Sequence, residues 1–145
     1  MTKTATHPEV GQVFELTLTE DQLDGEKMAD NFGHNFASGW QYTGQKPEAT
    51  TGKFKLVQVG FCNNLQEVAA KLKEHGDTPA GQWLQAFKAA YPDPDSKDPI
   101  GVADPSWVNP RGHVNFPFVV ADGDANFFWT DSYLNRYWRW LVRCK

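Results

Sequence analysis

The chain has 145 residues, 14 Lys and Arg against 18 Asp and Glu, a formal net charge of −4 and a mean hydropathy of −0.58. That length is enough for one core of ordinary size. The acidic balance disfavours a protein that coats nucleic acid, and no apolar run approaches the roughly 20 residues that a bilayer-spanning helix needs.

Residues 1–9 are polar, lack any periodicity and read as a disordered lead. With no apolar segment of a secretory signal, they point to a cytoplasmic protein. Residues 10–145 read as a single α+β domain. Residues 10–19 predict a strand with Phe14, Leu16 and Leu18 on one face. Residues 20–34 carry a turn signal at Asp24-Gly25 and then a short helix or irregular segment anchored by Leu23, Met28 and Phe32. Residues 36–43, with Trp40 and Tyr42, suggest a second strand, and a polar loop follows. Residues 53–61 become apolar on both faces and predict a central strand.

Two helices come next. Leu65, Val68, Ala69 and Leu72 form one stripe, with Asn63 and Gln66 or Asn64 and Glu67 as a capping pair and Gly76 as the stop. The second helix is expected to start at Thr78-Pro79, to bury Trp83, Leu84 and Phe87, and to end at Pro92. Together they predict an αα-hairpin. Residues 92–112 read as a long Pro-, Asp- and Gly-rich loop holding a short strand at 100–103. The remainder reads as a three-stranded antiparallel meander: 113–121 with Val114, Phe116, Phe118 and Val120 on one face, a hairpin turn at Asp122-Gly123, 125–130, and the last eleven residues. In that last segment Trp138, Trp140, Val142 and Cys144 alternate onto one face, which places two indoles in a core. Cys62 and Cys144 lack metal spacing and read as two buried thiols, bridged only if their elements adjoin. The expected fold is α+β: an antiparallel bent sheet of five or six strands, alternatively a partly open barrel, with the αα-hairpin packed on one face.

Ten Phe, six Trp and four Tyr make aromatic content the outlier of the composition. Most must be core, because exposing them all invites aggregation. Chemistry-bearing motifs are scarce. Asp93, Asp95 and Asp98 imitate a calcium loop, but Lys97 falls where a ligand belongs and the closing glutamate is missing. His34 and His113 lack the spacing of metal ligands and would form an acid–base site only if folding brought them to Asp104 or Asp131. No nucleophile motif or phosphate-binding glycine loop is present, so no catalytic residue, metal or cofactor is expected.

The stretch 101–113 gathers Asp104, Trp107, Asn109, Arg111 and His113 on one loop. With His34 these are the candidate ligand-binding residues, an aromatic platform beside hydrogen-bonding groups. The competing reading makes Trp107 a plug at the core edge. Tyr137, Arg139 and Arg143, on the other face of the last strand, suit a protein partner, including a second copy paired through an edge strand. The leading expectation is a non-catalytic binding protein with an aromatic-lined cleft for a small molecule or protein segment. The alternatives are a small hydrolase or isomerase using a His/Asp pair, and a structural homodimer subunit.

Overall fold

Period-two burial sets the first strand. In the computed structural model, which describes residues 7–32, 39–92, 98–120 and 124–144, β1 (Phe14–Leu18) buries Phe14, Leu16 and Leu18 and turns Glu15 and Thr17 outward. A single 3-10 turn (Glu20–Gln22) then leads to α1 (Gly25–Phe32), which buries Met28, Ala29 and Phe32. The other elements are β2 (Gln41–Tyr42), β3 (Thr50–Val57), α2 (Leu65–Leu72), α3 (Trp83–Ala90), β4 (Ile100–Gly101), β5 (Trp107–Val108), β6 (Val114–Val119), β7 (Ala125–Trp129) and β8 (Arg139–Arg143). Within the expected lead, Pro8 is buried and the His7 ring packs on Phe87 at 5.3 Å.

The fold is α+β, with one open, mixed sheet of eight strands in the order β1-β3-β8-β4-β6-β5-β2 and β7 on the far edge of β6. The expected meander is corrected here. β6 and β7 do pair antiparallel, Val119 opposite Ala125, but β8 leaves β7 and inserts between β3, antiparallel, and β4, parallel. The sheet is therefore neither purely antiparallel nor closed. The turn at Asp122-Gly123 lies outside the described residues.

The αα-hairpin is also divided. Leu141 and Trp140 are consecutive on β8, so they point to opposite faces. Leu141 packs in a cluster with Phe54, Leu56, Trp83, Leu84 and Phe87, hence under α3, whereas Trp140 and Val142 pack with Val68 and Leu72 of α2. The two helices thus cover opposite faces. Their connection crosses beside the end of β8, where Asp77 and Arg143 exchange hydrogen bonds of 2.9 and 2.8 Å. Asn64 caps α2 by accepting from the Glu67 N–H at 3.0 Å, and the Glu67 carboxylate accepts from the Asn63 backbone N–H at 2.7 Å. α3 starts at Trp83 rather than at Thr78-Pro79, after a tight turn in which Trp83 and Leu84 donate to Ala80 and Gly81 carbonyls. Gly81 permits that turn, since a Cβ there would lie 2.5 Å from the Trp107 ring.

β6 explains the long loop before it. Its Pro117 has no N–H to offer. β4 pairs with Phe118 and Val119, Val102 donates to the Pro117 carbonyl at 3.2 Å, β5 pairs with Val114 and Asn115, and residues 103–106 bulge away between them. Both faces of β6 are apolar in consequence: Phe116 joins the α2 side and Val119 the α3 side, while Val114 is 39% exposed. Phe116 and Phe118 share one face, as expected, and Val119 makes the opposite face apolar as well.

The expected inward pair at the C-terminus is found. Trp138 and Trp140 stack at 5.3 Å with planes 17° apart, and Phe116 touches both rings. Trp140→Ala is expected to destabilise by about 3–5 kcal/mol. Trp107, fully buried beneath Tyr42 and Phe127, is expected to match it within that range rather than cost less. Equilibrium denaturation of both variants in urea checks this.

Candidate functional site

Six residues were expected to converge near 101–113, and the structure gives the five that it describes different surroundings. Trp107 has no exposed surface, and its indole N–H donates to the Gly25 carbonyl at 2.8 Å, tying β5 to the start of α1. It is the plug, not a ligand platform. Asn109 is buried and builds the β5–β6 turn: its side-chain oxygen accepts from the Arg111 and His113 backbone N–H groups at 2.9 and 3.0 Å. Gly112, at φ +85°, completes that turn in the left-handed region. Arg111 and His113 are exposed. His34 lies outside the described residues.

Asp104 lies on the 103–106 bulge. One carboxylate oxygen accepts from the Gly81 N–H at 2.7 Å and the other from the Ser106 hydroxyl. It thereby ties the entry of α3 to the bulge. Burial pushes its pKa above the ordinary 3.8, against the pull of the Ser106 and Gly81 hydrogen bonds. Beside it, a depression of about 310 Å³ is lined by Tyr42, Thr78, Asp104 and Ser106 among others. Burial also raises the Tyr42 phenol, with the Gln82 side chain opposing and the Asp104 charge adding to the rise. The Tyr42 hydroxyl donates to the Gln45 carbonyl at 2.7 Å.

The residues of the last strand are placed differently from expectation too. Both edges of β8 are occupied, and both faces are covered, so it offers no edge to a second copy. Arg139 is 4% exposed and donates to the Asp98 carbonyl. Arg143 lies over Trp83 and Phe54, 5.3 and 5.7 Å from the ring centres. Tyr137 alone of the three is exposed, at 48%, against the Arg136 guanidinium.

The structure instead assembles a surface that the sequence did not reveal. Five of the six Trp are buried, whereas Trp129 is 55% exposed. It has the phase of Ala125 and Phe127 on β7, but α1 and Trp40 cover Phe127, and the Trp129 ring meets His113 instead, 5.3 Å away and 25° from parallel. Nearby, Cys62 and Leu134 exchange two 2.9 Å backbone hydrogen bonds and are both buried. Their neighbours Phe61 and Tyr133 must therefore point outward. These two rings pack at 5.9 Å and are 54% and 75% exposed. His113, Trp129, Asp131, Ser132 and Tyr133 line one shallow trough of about 700 Å³. A second depression of about 310 Å³ shares Asp131 and has a floor of Leu65, Ala69, Ala103 and Pro105. Ala103 and Pro105 also line the depression at Asp104, so the three adjoin.

The His113 ring is held by stacking and makes no hydrogen bond to Asp131. Among the described residues no three His, Cys, Asp or Glu side chains gather to hold a metal ion, and Asp93 and Asp95 of the imitated calcium loop lie outside them. Cys62 and Cys144 are free thiols, the first buried and the second half-buried. No helix among the described residues is long and apolar enough to cross a membrane.

Asp104 makes a prediction with a definite sign. A carboxyl whose folded pKa exceeds its unfolded value binds protons more tightly in the native state. Its contribution is therefore fully present below the ordinary 3.8 and is lost as pH rises through the folded pKa. Asp104→Asn cannot ionise, and its amide can still donate to the Ser106 hydroxyl while its carbonyl accepts from Gly81. Urea midpoints measured from pH 3.5 upward are expected to show the wild type losing stability relative to Asp104→Asn across that window. A constant difference would contradict the buried-carboxyl account.

Comparison with protein-family models, curated proteins and solved structures found no match.

Proposed function

We propose that this chain is a binding protein that takes its ligand, a small molecule or a protein segment, on the aromatic trough around Trp129. The single observation that carries this reading is the exposure of Trp129 in a chain that buries its other five indoles. Leaving an indole in water forfeits some 1.5–3 kcal/mol or more of burial, and here three further rings, His113, Tyr133 and Phe61, stand out beside it. A cluster of exposed rings with polar groups at its edge is the usual form of an interaction surface. Asp131 and Ser132 supply the edge.

The arrangement of the ionisable groups favours binding over acid–base catalysis. A hydrolase or isomerase needs a histidine and a carboxylate in hydrogen-bond reach. His113 is engaged with the Trp129 face, and the buried carboxyl of Asp104 is engaged with Ser106 and Gly81 in a different depression. A protein partner that is a second copy of this chain remains within the proposal, through an edge other than β8.

Trp129→Ala separates function from stability. Because the ring is more than half exposed, the variant is expected to fold with a stability change of about 1 kcal/mol or less. Thermal shift is then measured on both proteins with a set of aromatic small molecules and short peptides. A compound present at 100 times its Kd should stabilise the wild type by about 2.7 kcal/mol and leave Trp129→Ala unmoved. If every stabilising compound acts equally on both, the trough is not the binding site.

A further inference from the structure

We infer that the ligand of this surface is an extended, neutral oligosaccharide, laid from the Trp129 platform across the two adjoining depressions. This rests on the binding reading and adds the chemical class of the ligand and its length.

The class follows from what lines the track. Among the described residues, no Lys or Arg lines any of the three depressions. Phosphate and carboxylate ligands are recognised by such cations, and none is offered here. The polar lining consists of hydroxyls, amides and carboxylates: Ser132 and Asp131 at the trough, Thr130 and Gln66 beyond it, Ser106 and Thr78 at the far end. These groups match alcohols, each of which donates and accepts. A pyranose presents the complementary pair of surfaces. Its axial C–H face is apolar and flat enough to lie on an indole or phenol, while its hydroxyls radiate at the ring edge. Trp129, backed by His113, and Tyr133 are the open faces, and Asp131 and Ser132 sit at their edge.

The length follows from continuity. Asp131 belongs to the trough and the second depression, and Ala103 and Pro105 belong to the second and the third. A single ring system would occupy one of the three. An extended peptide is the other chain-like ligand, but it gains most by pairing with a strand edge. The edge nearest Trp129 is blunted: the outward N–H of Phe127 on β7 is already taken by the Asn126 side chain at 2.8 Å.

The test is titration of the ¹⁵N-labelled protein with cello-, malto-, xylo- and chito-oligosaccharides, followed by ¹H–¹⁵N spectra. The expected result is a shift of the Trp129 indole N–H together with the backbone amides of 130–133 and of Ala103, Asp104 and Ser106. Affinity should rise from disaccharide to hexasaccharide, and Trp129→Ala should weaken binding about tenfold or more, as loss of one aromatic anchor does. Tyr137→Ala, which lies outside the track, should leave it unchanged. Affinity independent of length overturns the extended track. If no oligosaccharide binds while an aromatic small molecule or peptide still moves the Trp129 signal, the oligosaccharide inference falls and the binding reading stands. If none of these probes moves that signal, both fall.

Discussion

The stack of Trp138 on Trp140, roofed by Phe116 and by α2, fixes where the last strand lies, and the rest of the sheet depends on that position. β8 is interior. It completes the antiparallel ladder with β3 on one side and accepts β4 in parallel on the other. Both of its faces are buried, Leu141 under the α3 layer and Trp140 under the α2 layer. Without it, β1 and β3 would have no strand pairing to β4–β7 among the described residues. The pairing of β8 with β3 joins residues 83 to 89 positions apart, and its pairing with β4 spans the whole β5–β7 segment. Such non-local contacts carry their loop-closure cost before they return any stabilisation.

A missing donor shapes the surface. Pro117 withholds an N–H from the edge of β6 that faces β4 and β5, and the chain between those strands bulges there. The bulge carries Ala103 and Pro105, which wall two depressions, and Asp104, which is returned to the fold by Gly81 and Ser106. One proline in a strand thus places a carboxyl and a curved wall beside the crossing from α2 to α3. That crossing needs Gly81 for the same reason: it runs against the Trp107 ring and Pro117.

Local periodicity made much of this legible and non-local placement did not. The alternation in β1, the stripe of α2 and the inward Trp138 and Trp140 are properties of a few neighbouring residues, and they are read off correctly. The β6–β7 hairpin is equally local. The insertion of β8 between β3 and β4 leaves only one mark, apolar residues on both faces, and the charges of Arg139 and Arg143 disguise it. Both are accommodated inside, one on a carbonyl and the other over two rings. Splitting of the helices between faces has no local mark at all. At the surface, Trp107 and Trp129 both look like core strand residues in the sequence. Cover by α1 and Tyr42 makes the first a plug, and the end of that cover leaves the second exposed. Phe61 and Tyr133 are turned outward by a two-bond bridge between segments 72 residues apart, a pairing that no spacing in either segment announces.

Exposed rings next to an open strand edge are ordinarily an aggregation hazard, and the way β7 handles that hazard bears on what the rings are for. Val120 with Asp124 and Thr130 with Val114 are hydrogen-bonded ends of the β6–β7 ladder, so by alternation Phe127 points its N–H and C=O away from β6. Asn126 folds back onto that N–H. The donor that an incoming strand would need at the middle of β7 is therefore satisfied within the chain, while the ring two residues later is left open. Trp129 stands exposed where backbone pairing is discouraged. On the binding proposal, contact at this surface would fall to side-chain faces and their polar rim rather than to strand addition, the arrangement that a ligand without a peptide backbone requires.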